Sequence, residues 1–135
     1  MAGYSGTPLW KKLGYAAGTR AHAMGAPAGY RKLLGLPPAV KVTWLGETEP
    51  GMGFVHLFSL RAASLKRELS VLRRTIAPAG VVWVSWPKKA SRVPTDITED
   101  TIREVALPMG FVDVKVCAVD ETWSGLKLMI RRSER

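Results

Sequence analysis

The chain has 135 residues, 47% of them apolar, and a formal charge of +9, with mean hydropathy close to zero. That length suits one domain with a sizeable core, residues 1–135, and no stretch approaches the roughly 18 apolar residues of a membrane-spanning helix. Cys117 is the only cysteine, which excludes an intrachain disulfide and a Cys-x-x-Cys metal or redox site.

The opening "MAGYSGTPLWKKLG" has no charged start followed by an apolar segment, so no secretory leader is read there and a cytoplasmic location is expected, with no membrane partner. Thr7-Pro8 before "LWKKL" predicts a short helix, with Thr7 as N-cap, Pro8 in the first helical position and Gly14 as its stop. Leu9, Trp10 and Leu13 would face the core. "TRAHAMG", residues 19–25, is a candidate first strand, and "GAPAGYRKLLG" a tight turn into a brief helix stopped by Gly35. Val40, Val42 and Trp44 in "AVKVTWL" mark the second strand, and "GFVHLFS" at 53–59 the third. Between them, "GETEPGMG" is a loop by its Gly and Pro content.

From Arg61 to Ile76 the residues Leu65, Leu69, Leu72 and Ile76 recur at spacings of four, three and four, which predicts a helix. Lys66, Arg67, Arg73 and Arg74 then fall on its solvent face. "PAG" ends it, and the apolar run "VVWVSW" predicts a central strand covered on both faces. Thr98 is a good N-cap for a second long helix, with Glu99 and Asp100 in its first turn and Pro108 ending it before Met109. "FVDVKVCAV" and "WSGLKLMIRR" close the chain as an antiparallel hairpin. Val112, Val114, Val116 and Ala118 are expected on one face of its first strand, and Leu126, Leu128 and Ile130 on one face of its second. The alternation of strand and helix predicts an α/β domain of three layers, Rossmann-like, with a mostly parallel sheet of about six strands and this hairpin at its end.

"LRRTIAPAGVVWVSW" followed by a helix, "MGFVDVKVCAV" and a last antiparallel strand resembles the C-terminal half of class I S-adenosylmethionine-dependent methyltransferases. The whole chain resembles, through "YSGTPLWKKLG", "SWPKKASRVPTDITED" and "ALPMGFVDVKVCAVDETWSGLKLMIRR", a bacterial family known as a domain of unknown function. The resemblance implies the strand order second, first, third, fourth, sixth, fifth, with a ligand outside the carboxyl ends of the strands where the order reverses. A cofactor-binding enzyme of this topology carries a Gly-rich turn after its first strand, so that backbone amides can approach the cofactor. Here the turn is Gly25-Ala26-Pro27-Ala28-Gly29, and Pro27 removes a donor and adds a ring. Glu47 stands at the separation of a ribose-gripping carboxylate but falls in a Gly and Pro loop, where a solvated acid is expected. No cofactor is assigned.

In the implied topology the loop from Pro87 to Thr95 and the hairpin loop from Asp120 to Ser124 emerge at one edge. Lys88, Lys89 and Arg92 would then lie near Asp120 and Glu121, with Trp123 beside them. Either these are surface ion pairs with Trp123 covering the sheet end, or the lysines and nearby amides hold an anion while the carboxylates orient a second group. Ser85-Trp86-Pro87-Lys88 matches S-x-x-K but lacks the S-D-N and K-T-G partners of enzymes that use it. His22 and His56 fall in neighbouring strands, yet two histidines lack the further ligands of a usual zinc site, so no metal is assigned. Cys117 is expected as a small buried strand residue. Trp83 is expected in the core, and Trp86 and Trp123 within reach of the ligand edge.

Charge is uneven: residues 1–92 hold 14 Lys and Arg against 3 acids, and residues 93–135 hold 6 against 8. The leading reading is a binding module on a truncated methyltransferase-like scaffold, taking a small anionic ligand or a protein partner through Lys88, Lys89, Ser91, Arg92, Asp120, Glu121 and Trp123. One alternative is an RNA- or DNA-binding accessory protein using Lys66, Arg67, Arg73 and Arg74 with Lys11, Lys12, Arg31 and Lys32. Another is a small enzyme at the Lys and acid edge, residual methyl transfer included.

Overall fold

A computed structural model describes residues 6–135; Tyr4 and Ser5 of the first quoted stretch lie outside the described residues. The elements are α1 (Leu9–Leu13), β1 (Arg20–Met24), α2 (Tyr30–Leu34), β2 (Thr43–Trp44), β3 (Phe54–Phe58), α3 (Ala62–Thr75), β4 (Val81–Pro87), α4 (Glu99–Ala106), β5 (Phe111–Ala118) and β6 (Trp123–Ile130). They form a six-stranded sheet in the order β2-β1-β3-β4-β6-β5, the order implied by the resemblance. β1 pairs in parallel with β2 and β3, β3 in parallel with β4, and β6 runs antiparallel to both β4 and β5.

Alternation along the strands divides the core. Val55, Leu57, Val82 and Val84 pack with Leu65, Leu69 and Leu72 of α3 and Ile102 of α4 on one face. Phe54, Phe58 and Trp83 pack with Leu13 of α1, Tyr15, and Tyr30 and Leu34 of α2 on the other. All five residues of β3 are buried, as a strand covered on both faces requires. Trp83 is fully buried, and its indole Nε1 donates to the Leu13 carbonyl at 2.8 Å, fastening α1 to the sheet. Room for the ring comes from Gly125 on β6, where a Cβ would stand 3.2 Å from Trp83 Cε3.

Local chemistry explains most element ends. The Thr98 hydroxyl accepts from the Thr101 amide and the Thr101 hydroxyl accepts from the Thr98 amide, a closed capping box at the start of α4. The first amide of α3, Ala62, finds no side chain of its own N-cap and donates instead to Asp96 Oδ1 at 2.8 Å, from a loop 34 residues away. At α1 the expected cap is displaced by one residue: Pro8 is extended and is itself the N-cap, and its carbonyl accepts from Lys11 and Lys12. β2 shrinks to Thr43–Trp44 because Val40 closes a turn onto the Pro37 carbonyl.

The hairpin departs most from its reading. The register slips between Asp113 and Lys115, so Val114 is an extra residue in β5 and the two-residue alternation is interrupted. Phe111 before the slip is fully buried, while Val112, Val114 and Val116 are each more than a third exposed. These valines do not share one face; they lie on an edge strand bounded by β6 alone. Leu126, Leu128 and Ile130 do share a buried face, as expected. Arg73 also differs: its Nε donates to the Met109 carbonyl at 2.9 Å, and its guanidinium pairs with Glu134.

The turn after β1 is held close to β3. Gly25 has φ +68, and a Cβ there would sit 2.9 Å from the Phe58 carbonyl oxygen. Gly25→Ala should therefore lose about 1–3 kcal/mol of stability, from left-handed backbone strain together with that contact. Chemical denaturation of the variant checks this, and a loss below about 0.5 kcal/mol would show that the turn relaxes freely.

Candidate functional site

The carboxyl ends of β1, β2, β3 and β4 lie on one edge of the sheet, since these strands are parallel. A cleft of about 480 Å³ opens there beside β1 and β2, lined among others by His22, Pro27, Tyr30, Arg31, Lys32 and Trp44. Trp44 ends the two-residue β2 and is half-buried, leaving part of its ring open. Tyr30 meets it edge-on at 6.2 Å and Arg31 lays its guanidinium 4.7 Å above the indole, a cation–π contact that also places a positive charge at the cleft. His22 Nδ1 lies 2.9 Å from the Leu45 carbonyl. A carbonyl oxygen only accepts, so Nδ1 is the donor in this contact. No Asp or Glu lines the cleft, and Glu47, just beyond it, is exposed.

The loops singled out from sequence do meet at this edge. Lys88 Nζ donates to the Asp120 carbonyl at 2.6 Å and the Lys88 amide donates to Thr122 O at 2.7 Å. Asp120 Oδ1 accepts from the Thr122 and Trp123 amides, which is an Asx-type turn. The Ser91 hydroxyl donates to the Lys88 carbonyl at 2.6 Å. Lys88 thus joins the two loops, while the Ser91 hydroxyl and the Asp120 carboxylate each brace their own loop. Lys89, Arg92 and Glu121 are exposed and form no ion pair among the described residues. Trp123 packs edge-on against Phe58 with centroids 5.1 Å apart, and Trp86 is buried in the α3 side of the core.

Beneath the edge runs a buried chain of polar side chains. Tyr15 and Tyr30 hydroxyls are 2.8 Å apart, Tyr30 Oη lies 2.6 Å from His56 Nδ1, and His56 Nε2 lies 2.7 Å from Ser85 Oγ. In either tautomer both ring nitrogens have a partner. Burial pushes the Tyr15 and Tyr30 hydroxyls well above their usual range and pulls His56 down to about 3, so the imidazole is neutral. Ser85 is fully enclosed, which separates it from Lys88 in role: the S-x-x-K match is not an active site. Nor do the histidines pair. His22 stands opposite Val55 and His56 opposite Ala23 in the ladder, so their side chains leave opposite faces of the sheet, and His56 is fully buried. Among the described residues no three His, Cys, Asp or Glu side chains cluster as metal ligands. Cys117 is half-buried, and burial pushes its thiol up, away from nucleophilic character.

The basic residues named for nucleic acid are divided by the sheet. α3, with Lys66, Arg67 and Arg74, covers one face and α1 and α2, with Lys11, Lys12, Arg31 and Lys32, the other. Sequence reasoning missed the cleft as a cleft. Arg31 and Lys32 entered only as surface charge, and the cue was their position in the first turn of the helix that follows the first strand.

With the geometry in place, comparison with solved structures assigns the architecture. The chain is similar to a SAM-dependent methyltransferase from Aquifex aeolicus, with TM-score 0.64 and 16% identity over 89% of this chain and 86% of that one. It is similar to a Burkholderia thailandensis 1,6-didemethyltoxoflavin-N1-methyltransferase with bound S-adenosylhomocysteine, with TM-score 0.58 and 13% identity over 91% of this chain and 75% of that one. A fibrillarin pre-rRNA processing protein from Methanococcus jannaschii matches with TM-score 0.55 and 10% identity over 87% and 68%. No protein-family profile and no curated protein matches the chain. The fold is therefore the mixed α/β, Rossmann-like fold of S-adenosylmethionine-dependent methyltransferases, and at these identities the likeness is one of fold. None of the helices among the described residues is long and apolar enough to cross a membrane.

Neutral burial of His56 has a pH consequence. The unfolded imidazole titrates near 6.5 and the folded one near 3, so the unfolded chain takes up a proton first and stability falls as pH drops from about 6.5 toward 3. Denaturation midpoints should show a loss of about 2 kcal/mol between pH 7 and pH 5, and His56→Gln should remove that component. An unchanged pH profile in the variant would place the titration elsewhere.

Proposed function

We propose that the chain is a non-catalytic binding module on a methyltransferase-like scaffold, and that it takes a small anionic ligand with a flat aromatic part in the cleft at the carboxyl ends of β1 and β2. The observation that carries it is the lining: an indole wall at Trp44, cations at Arg31 and Lys32, the His22 imidazole, and no carboxylate. An aromatic ring can stack on Trp44 while a phosphate or carboxylate meets the cations.

S-adenosylmethionine matches this cleft poorly. Its sulfonium and ammonium groups are cations, and the cleft presents cations to them. Pro27 lines the turn where a backbone donor would face the ligand. Glu47, at the separation of a ribose-binding acid, is exposed outside the cleft.

The loop edge supports a second locus for the same role. Lys89 and Arg92 are exposed there without an ion-pair partner among the described residues, on a frame built by Lys88, Ser91 and Asp120 and backed by Trp123, with Glu121 beside it. These cations would meet acidic groups of a ligand or a protein partner.

Isothermal titration with adenosine 5′-monophosphate, S-adenosylmethionine and S-adenosylhomocysteine separates the readings. The monophosphate should bind, Trp44→Ala and Lys32→Glu should each weaken it about tenfold, and Lys89→Glu with Arg92→Glu should leave it unchanged. Tight binding of S-adenosylmethionine with none of the monophosphate would restore a methyltransferase. Loss only in the Lys89 and Arg92 variant would move the site to the loop edge.

A further inference from the structure

The hairpin carries an unusual charge arrangement that the cleft does not use. Lys115 on β5 stands directly opposite Lys127 on β6, and like charges facing each other across a ladder are destabilising. Neither lysine forms an ion pair among the described residues. Lys12 lies at the far end of the same strand, with Nζ donating to the Ala118 carbonyl at 3.3 Å, and Arg131 lies at the near end, with its guanidinium on the Leu107 and Phe111 carbonyls. β5 is therefore bordered by cations at its middle and far end, while Arg131 at its near end is also paired with Glu134. The one acid in it, Asp113, is held at 2.9 Å by Arg103 on the α4 side.

This strand is also the open edge of the sheet. Natural edges are guarded by charge and bulges against unwanted pairing, and here both guards are partial. Val112, Val114 and Val116 are exposed along it, and the bulge at Val114 leaves regular pairing with β6 on both sides. A second copy offers little to these lysines: the one acid of its own β5, Asp113, is already held by Arg103. Charge complementarity selects a different one.

We propose that β5 accepts an extended acidic peptide segment as a seventh strand, with a carboxylate beside Lys115, which Lys127 backs from the next strand in, and apolar residues against the exposed valines on either face. Main-chain hydrogen bonds would supply affinity and the lysine pair the selection, as in recognition by strand addition. A carboxylate on the outer side of Lys115 offsets part of the repulsion that Lys127 exerts on it from the next strand in. The site is on the edge of the sheet opposite to β2, so it is independent of the cleft.

The test uses the whole chain and a fluorescein-labelled Glu-Val alternating heptapeptide, with a Lys-Val heptapeptide and a short single-stranded RNA as comparators. Anisotropy should show binding of the acidic peptide alone, and amide exchange should slow along 112–117 in its presence. Lys115→Glu with Lys127→Glu should weaken the acidic peptide about tenfold and admit the Lys-Val peptide. Lys115→Gln with Lys127→Gln should also weaken the acidic peptide, with unchanged or higher thermal stability; this neutral pair decides the matter if the reversed pair misfolds. Equal binding of both peptides, or binding without protection of 112–117, would overturn strand addition. Binding of the RNA in place of the peptide would make the surface a nucleic-acid contact, and dimerisation of the free chain through 112–117 would make the occupant a second copy; either result overturns the proposal.

Discussion

Burying a histidine at the centre of a sheet obliges the surrounding chain to satisfy it. His56 has no access to water, so its two ring nitrogens must find partners within the fold. Ser85 on β4 and Tyr30 on α2 supply them, and Tyr15 completes the chain after α1. This one requirement ties β3 to β4 and to the α1–α2 layer. The same face holds Trp83, whose indole donor reaches the Leu13 carbonyl, so two short helices of five residues each are fixed by tertiary hydrogen bonds rather than by their own helical stability.

That fixing has a consequence for function. Tyr30, anchored through its hydroxyl to His56, presents its ring edge to Trp44, and the next residue, Arg31, reaches the same indole. The aromatic and cationic lining of the cleft is thus set from inside the core. The loops after β4 and before β6 are organised differently. There Lys88 ties the two loops together, Ser91 and Asp120 spend their side-chain oxygens bracing their own loops, and Lys89, Arg92 and Glu121 remain outward. The cleft offers shape and chemistry together, whereas the loop edge offers chiefly charge.

The opposite edge of the sheet follows another rule. An ordinary edge strand would place its apolar residues inward and charges outward. In β5 the extra residue at Val114 shifts the alternation midway, so valines reach solvent on a strand lined by cations. The like-charge pair of Lys115 and Lys127 has no compensation within the described ion pairs. Local rules broken without an internal gain are where an external partner is sought.

Sequence by itself determined the elements whose signals are local and periodic. The Leu65, Leu69 and Leu72 stripe, the Thr98 cap and the continuous apolar run of β4 all depend on neighbours within a few residues, and each stands where its pattern placed it. Strand order followed from the resemblance and from the handedness of parallel crossovers. The tertiary structure decided what depends on register and on side chains distant in sequence. A single inserted residue at Val114 puts Val112 and Val116 on opposite faces, and no period in "FVDVKVCAV" reveals it. His22 and His56 leave opposite faces because of ladder register, and the cleft assembles His22, Arg31 and Trp44 from three elements. Convergence of that kind is a property of packed surfaces, where residues meet through the fold and leave no spacing in the chain to read.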